Sequence, residues 1–218
     1  MEEGRVIFDN IRKFVFYLFS CNVAEILVLL VAGVAGLPLP LTPLQLLWLN
    51  LVTDTFPALA LAMEPRDATV MRRPPRDPQE AILSPAFLTA IFGYAALITG
   101  ATLAAYWSAL GHAPDRAGTI AFMTLALAQI AHLGNARSDR HVLAPRRAAA
   151  NGFAILGLAA ALALQLVTTT RPLARILDVA PLETRDWLLV AGLAALPAVV
   201  GQLTKMWGPS WRRGLEVA

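Results

Sequence analysis

Residues 43–65 read PLQLLWLNLVTDTFPALALAMEP, an apolar run with an asparagine, a threonine and an aspartate in its middle. As a helix, such a run is long enough to cross a bilayer whose hydrocarbon core is about 30 Å thick. An aspartate at the centre of a membrane helix costs about 2.5–3.5 kcal/mol on insertion scales. Such a residue persists where a partner or a ligand offsets that cost, so Asp54 predicts a functional site inside the membrane.

The composition of the whole chain is that of a multi-pass membrane protein. Of its 218 residues, 57% are hydrophobic and 15% are charged, whereas a soluble domain carries about 25% charged residues. The single cysteine excludes an internal disulfide, and no nucleic-acid partner is expected. The apolar blocks predict an all-α membrane fold, a single domain over residues 1–218 with six transmembrane helices. The predicted helices are Phe14–Gly36, Leu44–Met63, Pro85–Leu110, Thr119–Ala136, Ala148–Thr170 and Trp187–Thr204.

The distribution of basic residues predicts the orientation of these helices. With the N-terminus placed inside, the inner segments hold 14 Lys and Arg residues and the outer segments hold 4. The positive-inside rule then puts both termini in the cytoplasm of a cell membrane. The proline-rich segment GLPLPLTP, residues 36–43, predicts a tight turn that makes the first two spans an antiparallel hairpin.

The polar residues of the second span share one face of a helix. Asn50, Thr53 and Asp54 stand at positions i, i+3 and i+4. Pro57 has no N–H to donate to the carbonyl of Thr53, so it predicts a helix break with a free backbone acceptor. Carboxylate, amide, hydroxyl and carbonyl oxygens are the ligands that hard cations such as Ca²⁺ prefer.

The first span repeats this pattern with Asn22 and Glu25 at i and i+3. Glu25 and Asp54 lie at similar distances from the shared turn, and therefore at a similar depth. Two carboxylates, two amides and a hydroxyl can then converge, which predicts a cation or proton pathway. The alternative is that these groups only form hydrogen bonds between neighbouring helices, as Asn and Thr often do.

Three stretches resemble consecutive parts of the type II P-type cation ATPases, in the calcium-pump branch that includes bacterial pumps. They are EEGRVIFDNIRKFVFYLFSCNVAEI at 2–26, PLQLLWLNLVTDTFPALALAMEP at 43–65 and VMRRPPRDPQEAILS at 70–84. The resemblance covers essentially the whole chain as the C-terminal six-helix half of the membrane domain, and it implies a bacterial source. Beyond Ser84 it depends mainly on helix spacing.

The resemblance implies a set of cation ligands. The family's fifth and sixth membrane helices supply them, and the matching positions are Asn22, Glu25, Asn50, Thr53 and Asp54. The eighth helix of the two-calcium pumps adds a glutamate, where this chain has Gln129, with His132 one turn further on. The departure implies an altered ion stoichiometry or proton coupling. Calcium is the expected cation and manganese the next, while sodium or protons suit this oxygen set less well.

The resemblance also implies a contact with a phosphorylation domain. The loop from Glu64 to Ser84 matches the family's contact loop, and its stiff basic part is Arg72, Arg73, Pro74, Pro75 and Arg76. No aspartyl-phosphate motif, nucleotide-binding domain or actuator domain is found in these 218 residues. ATP and Mg²⁺ are therefore expected only through domains supplied elsewhere, and the chain alone is not expected to hydrolyse ATP.

Two functions remain open from the sequence. In the first, the chain is the cation-binding and translocating membrane half of an ATP-driven pump, complete only with the missing domains. In the second, it is a stand-alone membrane protein without ATPase activity, either a passive cation-binding bundle or a regulator of a full-length pump. The basic contact loop favours the first, because a passive bundle has no use for a contact with a phosphorylation domain.

Overall fold

The computed structural model describes residues 2–65, 83–138 and 151–207, and within these ranges every regular element is helical. Five helical segments are long and apolar enough to cross a membrane: Glu3–Val34, Pro43–Ala62, Pro85–His112, Pro114–Ala136 and Thr184–Met206. A sixth apolar helix, Gly152–Val167, is shorter. The chain is therefore a membrane helical bundle, as its composition predicts.

The described part of the chain contains eight α-helices, three of which have eight residues or fewer. They are α1 (Glu2–Val34), α2 (Pro43–Trp48), α3 (Thr55–Ala62), α4 (Pro85–His112), α5 (Ala117–Ala136), α6 (Gly152–Val167), α7 (Arg171–Ile176) and α8 (Thr184–Trp207). The first helix begins twelve residues before the predicted start at Phe14, because the charged segment before the membrane span continues the same helix.

A tight turn joins α1 to α2, as the proline-rich segment predicts. Gly36 has a positive φ of 68°, and the N–H of Leu37 donates to the carbonyl of Ala32 at 2.9 Å. This is a Schellman ending, in which the left-handed residue is most easily a glycine. Thr42 then begins α2 with a capping box to Gln45. The two spans consequently run antiparallel.

The second span is interrupted between α2 and α3. Leu49–Thr53 forms a π-helical turn, and the N–H of Asp54 donates to the carbonyl of Leu49, five residues back, at 2.9 Å. Pro57 lies in the first turn of α3, after the interruption rather than at it. Pro57 itself has no N–H that could donate to the carbonyl of Thr53.

The centre of the bundle is α5, which packs against α1, α4, α6 and α8. Most of its 20 residues are buried, including the polar side chains of Gln129, His132 and Asn135. Gln129 and His132 interrupt the apolar sequence of this span. A helix surrounded by other helices has little surface facing lipid, so it can carry polar residues that bond to its neighbours.

Polar contacts close the bundle at its two ends. At one end Glu64, after α3, pairs with Arg137 at 3.2 Å and accepts a hydrogen bond from Asn151 Nδ2 at 2.6 Å. At the other end Arg116 pairs with the buried Asp186 of α8 at 2.8 Å. These contacts fix the ends of α3, α5, α6 and α8 relative to one another.

Candidate functional site

Glu25 is the centre of the first group of predicted site residues that the structure brings together. Its carboxyl is buried between α1, the second span and α5. Oε2 accepts a hydrogen bond from Asn50 Nδ2 at 2.6 Å, and Oε1 accepts one from Gln129 Nε2 at 2.9 Å. Gln129 Oε1 is buried and accepts no hydrogen bond from the described residues. Three elements far apart in sequence thus meet at one carboxyl group.

Asp54 is buried immediately after the π-helical turn. Its Oδ1 accepts a hydrogen bond from the hydroxyl of Tyr17 at 3.3 Å, whereas Oδ2 accepts none within the described ranges. The hydrogen bonds of Tyr17 to Asp54 and of Asn50 to Glu25 place both acids where α1 contacts the second span. An acceptor atom left buried in this way is costly, and it marks a position where a ligand can bind.

The remaining predicted site residues differ in how they relate to these two acids. Thr53 is buried, and its hydroxyl donates to Gln165 Oε1 in α6 at 3.3 Å. Asn22 is not brought to the acids by any contact described here, because its amide donates to the carbonyl of Leu18 in its own helix at 2.8 Å. His132 is buried against aromatic rings, with its ring centroid 4.7 Å from that of Tyr94.

Two parts of the predicted site concern backbone and loop segments. Pro57 is buried in α3, and its role as the cause of the helix break remains a prediction. The proposed contact loop, residues 72–76, lies outside the described residues. The structure describes the start of that loop. There Glu64 forms an ion pair with Arg137 at the end of α5 and accepts a hydrogen bond from Asn151 at the start of α6.

Two residues near the acids were not among the site residues predicted from the sequence. Tyr17 stands eight residues before Glu25, on the same face of α1, and a search for polar groups along that face would have found it. Gln165 is the single amide in the apolar segment GLAAALALQLV of α6 and is fully buried. A polar residue inside an apolar span is itself a signal of an interhelical contact or a site.

Among the described residues, no basic side chain balances the charge of the two acids. In the part of the chain that the structure describes, no Lys or Arg forms an ion pair with Glu25 or Asp54. The same residues contain no group of three or more His, Cys, Asp or Glu side chains that could hold a metal ion. Any cation bound here would need amide, hydroxyl or backbone oxygens besides the two carboxyls, which is the donor chemistry of hard ions.

Comparison with known proteins decides the family. The sequence family described as "Cation transporting ATPase, C-terminus" matches residues 38–207, more than half of the chain. The chain belongs to this family. The resemblance to the type II P-type calcium pumps that the sequence predicts is thereby confirmed.

Individual members of the cation-transporting ATPases are similar over most of this chain. A calcium-transporting ATPase of Bacillus subtilis is 40% identical over 90% of the chain, and calcium-transporting ATPase 1 of Bacillus cereus is 33% identical over 94%. The mouse calcium-transporting ATPase type 2C member 2 is 31% identical over 95%. The chain spans 22%, 25% and 22% of the length of these relatives, respectively.

Proposed function

We propose that the chain binds and translocates a cation as the membrane part of an ATP-driven P-type pump, with calcium as the cation and manganese as the next choice. The observation that carries the proposal is the meeting of Glu25 with the amides of Asn50 and Gln129 beside a buried Asp54. Two acids that pair with no Lys or Arg of the described residues are expensive to bury, and a cation is the ligand that offsets that cost. The relatives that are named calcium-transporting ATPases support calcium.

The ligand count suits calcium. The carboxyls of Glu25 and Asp54 provide two oxygens each, and Asn50, Thr53 and Gln129 provide one each. Calcium takes about six to eight oxygen ligands at about 2.3–2.6 Å in a flexible arrangement. Magnesium demands a stricter octahedron and gives up its water reluctantly, so this mixed set favours the larger ion.

The orientations of two side-chain amides indicate how the site would rearrange when a cation binds. Asn50 and Gln129 both direct their NH₂ groups at Glu25, which satisfies the carboxyl when no ion is present. Cation uptake requires both amides to turn, so that oxygen rather than NH₂ faces the ion. Gln129 Oε1 is already without a hydrogen bond from the described residues, so this turn breaks few existing contacts on its own side.

The wider organisation of the pump is part of the same proposal. Gly152–Val167, fifth in chain order, completes a set of six spans, and both termini face the cytoplasm of the cell membrane. Residues 72–76 contact a phosphorylation domain, and ATP and Mg²⁺ act there and not in this chain. The basic character of that loop and the family membership support this organisation.

The test of cation binding uses the 218-residue chain in lipid nanodiscs and measures binding of radioactive calcium. We expect saturable binding by the parent chain and loss of it in Glu25→Gln. Glu183→Gln is the matched control, because Glu183 is an exposed acid that contacts Arg116 at the end of the bundle. No saturable binding by the parent, or equal binding by Glu25→Gln, would show that the assignment is wrong.

The test of pumping uses a chimera of the Bacillus subtilis relative in which this chain replaces the matched 201 residues. We expect ATP-dependent calcium uptake into membrane vesicles, abolished by Glu25→Gln. If the chain binds calcium but the chimera folds without transporting it, the stand-alone cation-binding protein becomes the better description.

A further inference from the structure

Gln165 ties the interruption of the second span to the rest of the bundle. Its buried Oε1 accepts hydrogen bonds from Trp48 Nε1 and Thr53 Oγ1, both at 3.3 Å. Its Nε2 lies 3.3 Å from Met123 Sδ in α5 and donates to it. A single side-chain amide from α6 therefore contacts α5 and both ends of the π-helical turn.

The type of helix between Trp48 and Thr53 decides whether one oxygen can accept from both. In an α-helix with 3.6 residues per turn, side chains five residues apart point in directions about 140° apart. In a π-helical turn the hydrogen bonds join residues five apart, which brings such a pair toward the same side. The bond from Asp54 N–H to Leu49 O at 2.9 Å shows that the turn has this wider form.

The π form of the turn also sets the direction of Asp54. If the turn tightened to an α-helix, Asp54 would rotate by about one residue, or about 100°, relative to α2. Its carboxyl would then leave the side on which Tyr17 donates to it at 3.3 Å. A contact that favours the π form therefore favours the orientation of the acid.

We propose that Gln165 is a positioning residue for the cation site: by accepting from Trp48 and Thr53 it holds the π-helical turn and so directs Asp54 toward Glu25. The inference rests on the proposed function, because it concerns the same bound cation. Thr53 gives its hydroxyl proton to Gln165, which leaves the hydroxyl lone pairs for the ion. Gln165 itself accepts two hydrogen bonds and is not a ligand.

The first experiment replaces Gln165 with methionine, which has a similar volume but neither accepts nor donates as an amide. In nanodiscs carrying the full chain, we expect the calcium dissociation constant to rise about tenfold, since each lost hydrogen bond is worth about two- to twelvefold. The matched control is Gln202→Met. Gln202 is a buried glutamine that bonds across helices to Asn135 Oδ1 at 2.5 Å, far along the chain from the second span. Its calcium affinity should equal that of the parent.

The second experiment separates positioning from a general loss of stability. Trp48→Phe removes one of the two donors and should weaken calcium binding two- to tenfold in the parent chain. In the Gln165→Met background it should weaken binding no further, because the acceptor is already gone. Additive losses, or an equal loss in Gln202→Met, would overturn the proposal.

The outcomes also distinguish this proposal from the proposed function. If Asp54→Asn loses calcium while folded Gln165→Met and Trp48→Phe bind it like the parent, only the role of Gln165 is refuted. If Gln165→Met does not fold, an unchanged calcium affinity of Trp48→Phe is enough to refute the role of Gln165, and the cation site is not affected. If Asp54→Asn binds calcium like the parent, the cation site itself is wrong.

Discussion

Replacing Asp54 by asparagine should change calcium binding and stability in opposite directions. Asparagine has the same shape, and its oxygen can still accept the hydrogen bond from Tyr17 that Oδ1 accepts now. The new NH₂ then takes the position of Oδ2, a buried atom that accepts no hydrogen bond from the described residues. The variant loses a charged ligand but also loses the cost of burying that charge.

The expected changes in stability and in calcium affinity follow from the burial of Asp54 and from the lack of a hydrogen bond to its Oδ2 within the described residues. An unsatisfied buried neutral group costs about 1–3 kcal/mol and a charged one costs more, so we expect a gain of about 1–2 kcal/mol without calcium. For a chain of this size, that gain raises Tm by about 2–8 °C. Removing one partner from a buried charged contact costs about 3–5 kcal/mol, so calcium should bind at least about 100-fold more weakly.

Asp186 offers a matched control, because its side chain is as buried as that of Asp54, at 1% exposure, but it has a basic partner. Its Oδ2 lies 2.8 Å from Arg116 and accepts the N–H of Glu183 at 3.0 Å. Asp186→Asn breaks a charge-assisted contact worth about 1.5–3 kcal/mol, which lowers Tm by about 3–12 °C. Its calcium affinity should not change.

The assay combines thermal unfolding in nanodiscs without calcium and equilibrium binding of radioactive calcium, for the parent and both variants. Opposite shifts in Tm with loss of calcium only in Asp54→Asn are the expected pattern. If Asp54→Asn lowers Tm by more than about 4 °C, the charged carboxyl stabilises the fold and the reasoning from an unsatisfied Oδ2 is wrong. If it keeps calcium binding, its assignment as a ligand is wrong.

Three further predictions concern topology, stoichiometry and packing. In a cysteine-free background, cysteines at positions 73 and 116 should react with a membrane-impermeant reagent from opposite sides, because Arg73 lies in an inner segment and Arg116 in an outer one; labelling from one side would contradict this. Gln129→Glu adds a carboxyl beside Glu25 and should raise the number of calcium ions bound per chain, and an unchanged number in equilibrium dialysis would contradict the altered stoichiometry. Gly157→Ala should lower Tm by about 2–12 °C, because its Cβ would lie 2.8 Å from the carbonyl oxygen of Phe56. Gly100→Ala, where nothing lies within 4 Å, is the control and should leave Tm unchanged or slightly raised.

The sequence by itself determined the fold class, the hairpin of the first two spans and the family. Membrane helices can be predicted from sequence because the bilayer requires long apolar segments whose backbone hydrogen bonds are formed within the helix. The turn at Gly36 could be predicted because prolines and glycines determine the backbone conformation of their own segment. The polar residues Glu25 and Asp54 stood out for the same reason, since a charge in an apolar segment is costly wherever the helix packs.

Only the tertiary structure decided which polar groups meet. Glu25, Asn50 and Gln129 come from three helical elements, and their hydrogen bonds depend on rotations that sequence spacing does not fix. The π-helical turn is likewise a tertiary outcome, because a single turn of widened helix is stabilised by contacts such as that of Gln165 with Thr53. Asn22 shows the limit of the helical pattern: it lies one turn from Glu25, yet its amide bonds to its own backbone. Local sequence selects the residues that can form a site, but the packing of distant helices decides which of them face one another.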